Sequence, residues 1–156
     1  MKISFLIIVF LHGLIHLLGF VKGFGIREIR ELTLPVSKTQ GVLWLATSIL
    51  LLLYCVMDWS NAKYAWLAGL ISVVLSQFMI LMVWQDAKFG TVPNVLILLV
   101  SVVGFGQFLF HNQIQKERTN ILQNSIANTR ILEEKDLGDL PEPVKRWLHR
   151  SGSVGK

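Results

Sequence analysis

Two histidines near the N-terminus are the side chains of this sequence best suited to chemistry. His12 and His16 lie four residues apart within an otherwise apolar segment. If that segment is helical, the spacing puts both rings on one face, about 6 Å apart along the axis. Two imidazoles in that arrangement can chelate one metal ion, bind a haem iron or pass a proton. The pair is therefore the candidate metal and cofactor site of the chain.

The same two histidines also suit a purely structural role. Inside a membrane, a neutral imidazole hydrogen-bonds across a helix interface and stabilises the helix pair by roughly 0.6–2 kcal/mol. A metal site needs further ligands, and Gln77 is the polar residue that we expect at a matching depth. An amide is a poor metal ligand but a good hydrogen-bond partner. This favours structural hydrogen bonding, and a metal, a haem or a proton path stands as the alternative.

Four segments without any Asp, Glu, Lys or Arg must position these residues. They cover residues 3–21, 41–57, 64–84 and 92–110. A helix rising about 1.5 Å per residue crosses a hydrocarbon layer of about 30 Å with roughly 17–25 residues. The hydrophobic fraction of 53% also exceeds the globular average of about 45–50%. The sequence predicts an all-α fold, a polytopic membrane four-helix bundle over residues 1–112 with a short helical tail.

The charged residues surround these apolar segments. The net charge is +5, but its Lys and Arg residues flank the predicted spans, where anionic lipid headgroups are the nearest partner. The expected partner is therefore the lipid bilayer and not nucleic acid. Around the first span, Lys22, Arg27 and Arg30 outweigh Lys2. The positive-inside rule then favours cytoplasmic first and third loops, with both termini extracytoplasmic.

Small residues form stripes on two of the predicted spans. Residues four apart share a helix face, and small side chains there let two backbones approach closely. We expect these stripes, with Gln77 as a hydrogen-bonding partner, to be the helix-packing surfaces of the bundle. The packing residues are Gly19, Gly23, Ala65, Gly69, Ser72, Ser76 and Gln77.

The composition changes after the fourth span. Residues 113–135 are polar and form either a helical extension of that span or a linker. Residues 136–156 contain a predicted short amphipathic helix with Val144, Trp147 and Leu148 on one face. That face lies on the membrane, binds a protein partner or belongs to a further domain.

Three segments resemble a bacterial family without an assigned activity. They are HGLIHLLGFVKGF (12–24), QDAKFGT (85–91) and LPEPVKRWLHRSGSVGK (140–156). In that family a four-span membrane region precedes a soluble domain that opens with a segment similar to the last of the three. The resemblance implies a bacterial inner-membrane protein. It also implies that residues 136–156 are the start of an incomplete soluble domain, which would continue into β structure.

The expected function is that of a membrane anchor or scaffold for a soluble domain or a partner. The sequence contains no nucleophile–base constellation, phosphate-binding glycine loop or carboxylate pair, so it favours a protein that is not an enzyme. Two alternatives are open: a metal- or haem-binding redox component that uses His12 and His16, and a small channel or proton path. The oligomeric state is left open, and no cofactor is the leading expectation.

Overall fold

The computed structural model describes residues 2–124 and 131–155. Within these ranges the protein is all-helical, as predicted, and has no strand. Short 3₁₀ turns cover Lys88–Gly90 and Glu134–Leu137. The described α-helices are α1 (Lys2–Gly23), α2 (Lys38–Trp59), α3 (Ala65–Met82), α4 (Trp84–Ala87), α5 (Thr91–Asn124) and α6 (Glu142–Ser151).

Four helical runs are long and apolar enough to cross a membrane. They are α1, α2, α3 and the run Trp84–Gln123, which contains most of α5. Between 17% and 44% of the residues in their apolar windows are buried inside the protein. The remaining apolar side chains point outward, for example Val74, which is 70% exposed. Apolar surface of this extent is typical of a protein surrounded by lipid.

Local sequence signals explain where α2 begins and how far α5 extends. Ser37 caps α2: its hydroxyl accepts a hydrogen bond from Gln40 N, and the Gln40 side chain accepts one from Ser37 N. This reciprocal pair is a capping box, which satisfies two backbone amides at the start of the helix. Residues 113–124 continue α5 as helix, while residues 125–130 of the polar segment lie outside the described ranges.

Helices α1 and α2 cross closely because glycines remove the side chains between them. The ring of Trp44 occupies the place where a Cβ of Gly19 would stand. One turn further on, a Cβ on Gly23 would lie 2.9 Å from the Cα of Gly41. The hydroxyl of Ser48 donates to the carbonyl of Gly13 at 2.7 Å. Close backbone approach of this kind is how helices associate without a hydrophobic driving force.

The third helix packs in the same manner. Ser101 of α5 lies where a Cβ of Gly69 would stand, and Tyr54 of α2 lies 3.0 Å from that position. Ala65 and Ser72 of α3 are buried. The Ser72 hydroxyl is satisfied by the carbonyl of Ala68 at 2.7 Å. Residues 1–114 form one compact unit. Its core includes Val9, Leu51, Tyr54, Ala65, Val73 and Ile97.

Residues 115–156 form a second compact unit. Among its described residues Leu137 is buried, and the amide of Gly155 donates to the carbonyl of Leu132 at 2.9 Å. Helix α6 ends at Ser151, and the next residue, Gly152, has a φ of 66°, the left-handed conformation that terminates helices. The predicted amphipathic face of this helix carries Trp147, which is 65% exposed.

Candidate functional site

Helices α1, α3 and α5 enclose a cluster of four polar side chains. Helix α1 contributes His12 and His16 from one face, α3 contributes Ser76, and α5 contributes Asn94. Each of the four residues is at most 4% exposed. Polar groups enclosed among apolar helices are stable when they hydrogen-bond to one another. The cluster therefore joins three of the four spans through polar contacts.

The hydroxyl of Ser76 lies at the centre of this cluster. It donates to Oδ1 of Asn94 at 2.9 Å. Nε2 of His16 lies 2.9 Å from the same hydroxyl. Nε2 of His12 lies 3.2 Å from it and 3.0 Å from Oδ1 of Asn94. One serine thus connects both histidines to the asparagine.

A chain of amides continues from the cluster along α3 and α5. Nδ2 of Asn94 donates to Oε1 of Gln77 at 3.0 Å, and Nε2 of Gln77 donates to the Thr91 hydroxyl at 3.2 Å. In this arrangement Oδ1 of Asn94 can only accept. The Nε2 atom of His12 must therefore carry the hydrogen, which leaves its Nδ1 as an acceptor.

The network assigns the tautomer of His16 in the same way. Because the Ser76 hydrogen goes to Asn94, Nε2 of His16 donates to the Ser76 oxygen. Nδ1 of His16 is enclosed and has no hydrogen-bond partner among the described residues. The His16 ring lies against Trp44, with 4.8 Å between ring centroids, and meets His12 edge-on at 4.8 Å. Aromatic packing and one hydrogen bond hold this ring in place.

A cleft of about 430 Å³ lies beside the two histidines. Its walls are mostly apolar and include Trp44 and Ile80. Gly90 belongs to the lining, and a Cβ placed on it would lie 3.3 Å from Cε1 of His12. The backbone of Gly90 therefore lies close to His12 at the wall of the cleft. A volume of this size is in the range of small-molecule pockets, about 300–1,000 Å³.

The connections at one end of the bundle form the rim of this cleft. The Asp86 carboxylate accepts hydrogen bonds from Thr33 N at 2.6 Å, from the Thr33 hydroxyl at 2.8 Å and from Leu34 N at 3.0 Å. These hydrogen bonds, with that from Leu34 N the largest contribution, lower the pKa of Asp86 below its ordinary value. Lys22 donates to the carbonyl of Leu32, which is buried. The loop between α1 and α2 is thereby attached to α4.

The residues singled out from the sequence fall into two groups in the structure. His12, His16 and Ser76 meet directly, while Gln77 is one step removed, since it reaches the histidines through Asn94. The remaining residues lie at helix contacts or in the buried interior: Gly19, Gly23, Ala65, Gly69 and Ser72.

Asn94 is the member of the cluster that sequence reasoning missed. The residue follows Pro93 at the start of an apolar segment, where an asparagine is easily taken for part of a helix start. The signal that points to it is its amide inside a segment without charge. Within residues 2–124 and 131–155, no group of three or more His, Cys, Asp or Glu side chains is placed to hold a metal ion.

Comparison with known protein families, with curated proteins and with solved structures finds no match for this chain.

Proposed function

We propose that this protein is an integral membrane anchor, in which the four-helix unit holds the C-terminal unit at the membrane surface. The observation that carries the proposal is the difference in composition between the two units. Residues up to 114 contain the apolar helices and use their enclosed polar side chains for contacts between helices. Residues from 115 onward are polar and carry the exposed Trp147.

The buried histidines support this proposal better than they support a redox function. Nε2 of each histidine is already engaged with Ser76 or Asn94, so a metal or haem iron bound there would displace hydrogen bonds between helices. Hydrogen bonds of this kind stabilise membrane bundles. Metal analysis and an absorption spectrum of the purified protein test the alternative. Stoichiometric metal or a haem Soret band that disappears in a His12→Ala/His16→Ala variant would support a redox component and contradict a structural role.

Fractionation tests the anchor itself. The full chain is expressed with green fluorescent protein fused after Lys156, beside the same fusion without residues 1–114. The full chain is expected in the membrane pellet after an alkaline carbonate wash, and the shortened chain in the supernatant. A full chain that leaves the membrane in carbonate, or a shortened chain that pellets equally, would overturn the proposal.

The proposed orientation has both termini on the extracytoplasmic side of a bacterial inner membrane. Lys22, Arg27 and Arg30 supply the positive charge next to the first span on the opposite side. Alkaline phosphatase fused after Lys156 is then expected to be active, because the enzyme matures only outside the cytoplasm. An inactive phosphatase fusion together with a fluorescent green fluorescent protein fusion would reverse the orientation.

The exposed side of α6 is the proposed contact surface for a protein partner of the anchored unit. Trp147 is 65% exposed and Val144 is 39% exposed, while Leu148 is half-buried. Exposed tryptophans are frequent anchors of protein interfaces. A photocrosslinking amino acid at position 147 is expected to capture one discrete protein in cells, and the same group at Glu142 serves as the control. Equal labelling from both positions, or labelling of lipid alone, would contradict a protein partner.

A further inference from the structure

The cleft beside His12 offers a free hydrogen-bond acceptor. Nε2 of His12 donates to Asn94, so Nδ1 carries a lone pair. Nδ1 of His12 has no partner among the described residues, and unlike Nδ1 of His16 it is not closed off from its surroundings. His12 lines the cleft, and the lining residue Gly90 lies next to Cε1, the ring carbon bonded to Nδ1. The chemistry that Nδ1 recognises is a donor, such as a hydroxyl group.

The mouth of the cleft faces the surroundings of the bundle. Ile8, Leu11 and Ile15 of α1 line it on one side and are 42%, 52% and 56% exposed. Phe89 lines the other side and is 78% exposed. In a bundle surrounded by lipid, side chains exposed in this way contact acyl chains. A molecule with an apolar body can therefore enter sideways from the bilayer without passing through water.

The polar end of the cleft disfavours negative charge. Glu31 and Asp86 both belong to its lining. Two carboxylates repel an anionic ligand, and the lone pair on Nδ1 of His12 cannot donate to one. Lys22 lies near Asp86 but is not part of the lining, so we expect the cleft to bind an alcohol better than a carboxylate or phosphate of the same chain length.

We propose that this cleft binds a neutral lipophilic molecule with a hydroxyl group, whose O–H donates to Nδ1 of His12 while its apolar body lies against Trp44 and Ile80. Long-chain and isoprenoid alcohols are members of this class. The proposal is independent of the anchor function, since it concerns only the four-helix unit and a ligand that comes from the membrane.

Photolabelling of the full chain tests the chemical selectivity. The probe is a twelve-carbon primary alcohol with a diazirine in its chain, added to the protein in nanodiscs. Labels are expected on α1 and on residues 89–93, as mapped by mass spectrometry. Unlabelled dodecanol is expected to compete about tenfold better than its methyl ether, dodecanoate or a methyl ketone of equal length.

Gly90→Ala tests the position of the site without removing any hydrogen bond. The new Cβ would lie 3.3 Å from Cε1 of His12 and 2.8 Å from Cδ1 of Ile80, the far end of a flexible side chain. The methyl group pushes against Ile80 and His12 and narrows the cleft there, so labelling is expected to fall about tenfold. Gly106→Ala is the matched control, since a Cβ at Gly106 has no atom within 4 Å, and its labelling is expected to equal that of the wild type.

His12→Phe tests the acceptor. A phenyl ring is planar, somewhat larger than the imidazole and without nitrogen, so the alcohol is expected to lose its advantage over the methyl ether. Three results would each overturn the proposal: labels spread evenly over the lipid-facing helices, a ketone or ether that competes as well as the alcohol with the wild type, and equal labelling of Gly90→Ala and Gly106→Ala. The competition series uses the wild-type chain, so it decides the question even where a variant fails to fold.

Discussion

Asn94→Ala is the substitution that tests the polar cluster most directly. The side chain of Asn94 accepts hydrogen bonds from His12 and Ser76 and donates one to Gln77, at 2.9–3.0 Å. Side-chain hydrogen bonds between membrane helices average about 0.6 kcal/mol each, so the loss of three corresponds to about 2 kcal/mol. His12 keeps its 3.2 Å contact with Ser76, which limits the loss. We expect the free energy of unfolding to fall by about 1–2 kcal/mol.

Equilibrium unfolding in mixed micelles with increasing sodium dodecyl sulfate measures this free energy. Asn112→Ala is the matched control, because Asn112 lies on the same helix and its side chain makes no hydrogen bond among the described residues. The control is expected within about 0.5 kcal/mol of the wild type. A double-mutant cycle with Ser76→Ala is expected to give a coupling of at least about 0.5 kcal/mol. An Asn94→Ala variant as stable as the control, or a coupling near zero, would refute a cluster that holds the helices together.

Three further predictions concern packing, the loop contact and the single thiol. Gly19→Ala places a methyl group inside the ring of Trp44 and is expected to cost about 1–3 kcal/mol in micellar unfolding; Gly106→Ala, with open space around it, is neutral or stabilising by up to about 1 kcal/mol. Asp86→Asn lowers the thermal midpoint at pH 7. Hydrogen bonds lower the pKa of Asp86 in the folded protein, so its contribution to stability is present above the unfolded pKa and is lost as the pH falls through the folded pKa. The melting curves of wild type and variant are therefore expected to converge in strong acid. A difference in thermal midpoint that stays constant with pH would contradict this. Cys55, half-buried in α2, is expected to react in vesicles with a small neutral maleimide and not with a charged one, and equal rates would place it in water.

Several elements of the fold follow from local sequence. The uncharged segments predict the four apolar helices because a helix without charge on any side is stable only where no water surrounds it. The α2 start is equally local, since Ser37 and Gln40 satisfy each other's backbone amides within one turn. The end of α3 is different: the apolar segment runs to residue 84, but the helix ends at Met82.

The candidate site depended more on contacts distant in sequence. The i,i+4 spacing places His12 and His16 on one face of α1, and this much is helical geometry. Their partner Ser76 is 60 residues from His16, and Asn94 is 82 residues from His12. Which of several serines and amides contacts a histidine depends on the register of the helices, that is, on the axial position of each helix relative to its neighbours. Here that register is constrained by contacts such as Trp44 on Gly19 and Ser101 on Gly69.

The sequence alone thus determined the all-helical fold class, the number of apolar helices and the helix face that carries both histidines. Hydropathy, helix capping and helical period each depend on residues that are close together in the sequence. Only the tertiary structure decided that Asn94 orients the hydrogen bonds of His12, and that a cleft lined by His12 and Gly90 lies beside them. Hydrogen-bond direction and empty space are properties of side chains from several helices together. They arise when those helices pack, and no single segment contains them.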